Sequence, residues 1–265
     1  MTNKFAAVAQ EVAAQVNIEE SVTKGGGNFV NPLTESAEAG DVALARFVSY
    51  IEVGEQQTKG AHAKIVPQVM LGFEVVTPKH TKTGDDGKLI TGSVNVTITV
   101  GNNEKSNYVK YFRAMNYAQK HKHFVEMLGQ AFLVPNLLVN AKGDKKYVNL
   151  HSQDLGVQLA APLQKDPMTG TTAPIAAPEA TRELQCFIFN NPTDEQWDSI
   201  HIEGTKDDGS SKNWIQDKIT SCINFQGSPV QQYLEAKGVT IDTPSTKVDH
   251  EPANGADAAD ALSQL

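Results

Sequence analysis

Between residues 43 and 100 the chain alternates apolar and polar side chains with a period of two. In ALARFVSYIEV (43–53) the alternation sets Ala45, Phe47, Ser49, Ile51 and Val53 on one side. In AKIVPQVMLGFEVV (63–76) it sets Ile65, Val69, Leu71, Phe73 and Val75 on one face, with Lys64, Gln68 and Glu74 on the other. SVNVTITV (93–100) turns Val94, Val96, Ile98 and Val100 inward and Asn95, Thr97 and Thr99 outward. Alternation rich in β-branched residues predicts half-buried antiparallel strands. Asp86-Gly87, inside TKTGDDGKLITG, predicts a hairpin turn in a polar loop long enough to reach a ligand.

After Gly101 the period changes. NNEKSNYVKYFRAMNYAQ places Tyr108, Phe112 and Met115 on one helical face and Lys110, Arg113 and Tyr117 on another. Asn102 or Asn103 can cap this helix. HFVEMLG predicts a second short helix that stops at Gly129. AFLVPNLLVNAKGDKKYVNLHS then predicts two strands joined at a basic tip, Lys142 to Lys145. Three strands, a helical insert and two strands follow the order of an OB barrel. The predicted fold class is therefore mostly β, an OB-like antiparallel barrel with helical additions.

The flanks read differently. Phe5, Val8, Val12 and Val16 fall near helical spacing and predict an amphipathic N-terminal helix over residues 3–16. A linker with Gly25, Gly26 and Gly27 follows, so residues 1–32 are expected to be an appendage. Residues 155–181 hold four prolines and little periodicity, which predicts a surface-crossing loop. ELQCFIF (183–189) predicts a strand, and three short helices follow: one capped by Thr193, one spanning WIQDKITSCINF, and one opened by Ser228-Pro229 and closed by Gly238. The barrel and these helices make one expected domain, 33–240. Residues 241–265 carry five acids and no aromatic residue, which predicts a disordered acidic tail.

Charge sharpens this picture. The chain of 265 residues has a formal net charge of −8, but residues 61–150 carry 12 basic and 6 acidic groups. A basic block inside an acidic chain suits a polyanion-binding surface. The chemistry of catalysis is not written here. No Gly-x-Ser-x-Gly elbow, Walker lysine or dinucleotide fingerprint occurs. His121-x-His123 lacks further ligands at metal spacing, and Asp85-Asp86 and Asp207-Asp208 sit beside glycine as turn formers. The expectation is a non-enzyme without cofactor or metal. Cys186 and Cys222 are too few for a disulfide framework and read as packed thiols. No apolar run reaches membrane-spanning length, and the N-terminus lacks the apolar core of a secretory signal.

Basic and aromatic residues do interleave in one region. Lys105, Lys110, Arg113, Lys120 and Lys122 surround Tyr108, Tyr111, Phe112 and Tyr117, and Lys145, Lys146 and Tyr147 repeat the mixture on the hairpin. Cations neutralise phosphates, and flat side chains stack on unpaired bases. Tyr108 and Phe112 share the apolar face with Met115 and are expected in the core. Tyr111 and Tyr117, ringed by cations, are the expected stacking residues. With Lys64 these residues form the candidate DNA-binding set.

The chain resembles the single-stranded DNA-binding proteins of tailed bacteriophages. The likeness rests on RFVSYIEVGEQ, VMLGFEVV, EKSNYVKYFRAMNY, LGQAFLVPNLLVN with KKYVNLHS, EQWDSIHIEG and NWIQDKITSCINF. It implies an OB-fold that coats single-stranded DNA during phage replication or recombination, in the cytoplasm of the infected host. It also implies a tail that recruits replication or recombination partners, although this tail is sparse in acids and ends without an aromatic residue. Two other readings stand beside it. In one, the basic centre is a protein interface of a phage structural or interaction protein. In the other, the chain is a nuclease or recombinase subunit.

Overall fold

The computed structural model describes residues 31–58, 63–85, 87–142, 145–205, 211–239 and 241. The predicted N-terminal helix, the glycine linker and the acidic tail beyond Ile241 lie outside them. The described residues are mostly β, built on a curled antiparallel half-barrel with a few helices.

A short helix, α1 (Pro32–Ser36), capped by the Asn31 side chain, leads into the sheet. Strand β1 (Ala43–Gln57) pairs antiparallel with β2 (Ile65–Val75), and β2 with β4 (Leu89–Thr99). The short strand β3 (Thr81–Thr83) forms the predicted hairpin with β4, closed by the Gly84 N–H donating to the Lys88 carbonyl. Two register shifts bend β1, one between Phe47 and Ser49 and one between Glu52 and Glu55. The first has a large consequence. An extra residue in one strand reverses which face its later side chains take. Ala43, Ala45 and Phe47 point into the half-barrel, and past the bulge Tyr50 does so, while Ile51 and Val53 turn outward. The strict alternation expected from Ala45 to Val53 is thus corrected at Val48. Gly54 has φ +70 beside the second shift, and a Cβ there would meet Cys222 Sγ at 2.5 Å, so glycine is required.

Helix α2 (Asn107–Met115) follows β4 and is capped by Ser106, not by the asparagines the sequence suggested. A short 3-10 helix, Phe124–Met127, ends near Gly129 at φ +81. The next run makes three strands where two were expected, β5 (Ala131–Val134), β6 (Leu138–Lys142) and β7 (Lys145–Asn149). Pro135, which has no N–H to give to a ladder, lies between β5 and β6. Strand β5 returns to pair antiparallel with Ala43–Arg46, and β6 and β7 form the predicted hairpin.

Two small hairpins replace the expected irregular loop: β8 (His151–Ser152), just before it, pairs with β9 (Gly156–Val157), and within it β10 (Leu163–Lys165) pairs with β11 (Thr172–Pro174). Strand β12 (Gln185–Phe187) then joins the sheet parallel to Ser49–Ile51. Helices α3 (Asp194–Ser199), α4 (Trp214–Thr220) and α5 (Pro229–Ala236) complete the described chain, with Thr193 and Ser228 as the expected caps.

Two cores result. The inner one fills the half-barrel with Phe47, Tyr50, Leu71, Phe73, Tyr111, Phe124 and Phe132. The outer one packs α4, α5 and β12 against Ile51, Val53 and Met70 on the convex face of the sheet.

Candidate nucleic-acid interface

Helix α2 divides its residues by phase. At about 100° per residue, Tyr108, Tyr111, Phe112 and Met115 fall within one broad arc, and Lys110 and Arg113 fall opposite. The structure buries that arc. Tyr111 is 1% exposed and Met115 is fully buried, while Tyr108 and Phe112 are half-buried with their rings edge-on to Phe124 at 5.1 and 5.3 Å. This corrects the expectation for Tyr111. Its ring has no open face for a base, its hydroxyl has no partner among the described residues, and burial pushes its pKa above the usual phenol range. Cations adjacent in sequence lie on other sides of the helix.

Lys110 and Arg113 are exposed on the far side of α2. Lys110 lies close enough to His151 to help burial hold that imidazole below its ordinary pKa. The chain then turns tightly. The Asn116 carboxamide accepts from the Lys120 and His121 N–H groups and donates to the His121 carbonyl, and Gln119 takes φ +54. This turn presents Lys120 and Lys122 to solvent. It also presents Tyr117, 41% exposed, with its ring edge-on to Phe132 at 6.1 Å. The Lys122 and His123 N–H groups donate to Glu126, whose carboxyl they hold below its ordinary value, the Lys122 bond first.

On the hairpin, Lys146 is exposed and Tyr147 is 48% exposed. Lys145 lies in β7, but its side chain is outside the described residues. Lys64 and Lys105 are exposed at the end of the sheet where β4 hands over to α2, joined there by the Val100 N–H donating to the Pro67 carbonyl. Among the described residues, Lys64, Lys105, Lys110, Arg113, Lys120, Lys122 and Lys146 make no ion pair. Lys79 and Lys82, in the same basic segment, are instead held by Asp41, Glu38 and Glu35.

His121 and His123 turn to different neighbours. His121 Nδ1 lies 3.9 Å from Glu126, while His123 Nδ1 accepts from the Val125 N–H and its Nε2 faces the Tyr50 hydroxyl at 3.4 Å. Tyr50 in turn donates to Glu52 at 3.1 Å. Among the described residues no group of three or more His, Cys, Asp or Glu is arranged to hold a metal. No helix among them is long and apolar enough to cross a membrane. Cys186 and Cys222 are free, and burial raises their thiols to about 12 and about 11.

Three features escaped the sequence reading. Trp214, in the helix expected from WIQDKITSCINF, is 42% exposed and offers another aromatic face. Arg46 and Glu74, partners across β1 and β2, together fasten residues 177–182 over the outer face of the sheet. Arg46 donates to the Ala177, Pro178 and Gly129 carbonyls. Glu74, 0% exposed, accepts from the Thr91 hydroxyl at 2.7 Å, from the Thr181 hydroxyl and N–H, and from the Arg182 N–H. Burial would raise its carboxyl, but these bonds outweigh burial and hold it below the ordinary value. Their sequence signal was a lone Glu in an apolar strand, which demands partners when buried.

Comparison with protein-family models, with curated proteins and with solved structures finds no match for this chain.

Proposed function

We propose that the protein binds single-stranded DNA without sequence preference, as a coat for DNA during phage replication or recombination in the infected cell. The observation that carries this reading is that Lys105, Lys110, Arg113, Lys120 and Lys122 are exposed and make no ion pair among the described residues, in the same segment as the exposed ring of Tyr117, and that Lys146 and Tyr147 are exposed on the hairpin. Such cations engage phosphates, and the open rings accept bases. An OB-like reading of the half-barrel is supported by its three-strand meander, the helix after it and the return of β5 to β1. The acidic flanks favour release from duplex and other weak polyanion contacts, because they repel phosphate at a distance.

The test is fluorescence anisotropy with labelled oligo-dT at several salt concentrations. Affinity should fall with a log–log slope of about −0.7 per phosphate engaged, so about four contacts give a slope near −3. Absence of binding at low salt overturns the proposal.

A further inference from the structure

Strand β4 has two edges with different fates. One edge pairs with β2 from Gly92 to Thr99 without interruption. The other pairs with β3 only from Leu89 to Thr91. At Ser93 the Asn31 side chain replaces a strand: its carbonyl oxygen accepts from the Ser93 N–H at 3.0 Å and its amide donates to the Ser93 carbonyl at 2.7 Å. Ser93 therefore points its backbone groups away from β2. Backbone direction alternates along a strand, so Asn95, Thr97 and Thr99 point theirs the same way. The Val100 N–H, of opposite parity, donates back to Pro67 on the β2 side, as this phase requires. Beyond Ser93, the outward N–H and C=O groups of Asn95, Thr97 and Thr99 have no partner among the described residues.

An unpaired edge is normally blunted by charge, proline or a bulge, because it templates another strand. The stretch VNVTIT (94–99) has none of these: no charged residue, no proline and no shift in its register with β2. The side chains of Asn95, Thr97 and Thr99 are exposed and uncharged.

We propose that this edge pairs antiparallel with the same edge of a second copy, centred on Thr97. The pairing is isologous, so each patch is its own complement. Thr97 then faces Thr97 of the second copy, and Asn95 faces Thr99 in both directions. Every outward backbone group of these residues meets its counterpart, and no like charges are opposed. Asn31 and β3 mark where the edge stops being available, which bounds the window, and matching the outward groups of Asn95, Thr97 and Thr99 centres the register on Thr97. A contact of this length is smaller than a standard interface, so the association is weak and concentration-dependent.

Sedimentation velocity of the full chain over a range of concentrations tests this, without DNA. The wild type should move from monomer to dimer as concentration rises. Thr97→Lys and Thr97→Glu alter an exposed side chain and leave the fold intact by circular dichroism. Each places like charges directly opposite and should raise the dimer dissociation constant about fivefold at low salt. Mixing the two variants should restore association, because Lys then faces Glu. A wild type that stays monomeric overturns the proposal. So does a dimer indifferent to both substitutions, or a mixture that associates no better than either variant alone.

Discussion

Replacing Glu74 by alanine removes the acceptor that fastens residues 181–182 to the sheet. Four donors converge on this carboxylate: the Thr91 hydroxyl, the Thr181 hydroxyl and N–H, and the Arg182 N–H. A hydrogen bond to a charged group contributes about 1.5–3 kcal/mol, and a buried donor left unpaired costs about 1–3 kcal/mol. Thr181 is exposed and regains water, whereas Thr91 is 2% exposed and keeps only the Thr181 hydroxyl, at 3.3 Å. The cost of burying the charge is relieved, but the bonds from Thr181, Thr91 and Arg182, which hold the carboxyl below its ordinary value against burial, are lost with it. The loss is therefore counted on Thr91 and Arg182, at about 2–4 kcal/mol. Urea denaturation should show a lower midpoint with an unchanged slope. Glu74→Gln keeps one acceptor and should lose less. Limited proteolysis should cut the alanine variant faster near Thr181. A stability change below about 0.5 kcal/mol, within the range of a neutral surface substitution, refutes the claim that Glu74 holds this segment.

Tyr117→Ala should weaken oligo-dT binding by about 1–3 kcal/mol with little change in salt slope, since stacking releases few counterions; anisotropy at two salt concentrations checks it. Tyr111→Phe removes a buried hydroxyl without a partner and should leave binding unchanged while the melting temperature stays level or rises. The pH dependence follows from His80, His123 and His151, all held below the ordinary imidazole pKa, burial first. As pH falls through about 6.5 the unfolded chain takes up these protons before the folded one, so stability should fall between there and the lower folded values. Melting curves at neutral and mildly acidic pH should show it, and a flat profile across that interval contradicts it.

The inward faces of β2 and β4 were legible because a half-buried strand must alternate. Val69, Leu71, Phe73 and Val75 enter the inner core as the pattern required, as do Val94 and Ile98. The caps at Thr193 and Ser228 were legible because a hydroxyl before a helix has a local partner. The bulge at Val48 was not, since the pairing with β2 that defines it is set by residues some 25 positions away. Nor was the parallel pairing of β12 with β1, which joins residues far apart in sequence. The misreading of Tyr111 had a different origin. Its sequence neighbours are cationic, but helical phase groups it with Tyr108, Phe112 and Met115. The same phase argument set Lys110 and Arg113 on a face apart from Tyr108 and Met115, and both are exposed there, while the helix ends at Met115, short of Tyr117.

The central proposal is that these two cations, exposed and without an ion pair among the described residues, engage the phosphates of single-stranded DNA. The direct measurement is the salt dependence of oligo-dT binding by Lys110→Ala/Arg113→Ala, with folding verified by circular dichroism. If both side chains neutralise phosphates, the double variant should bind more weakly and its log–log slope should flatten by about 1.4. A folded double variant with the affinity and slope of the wild type contradicts the account.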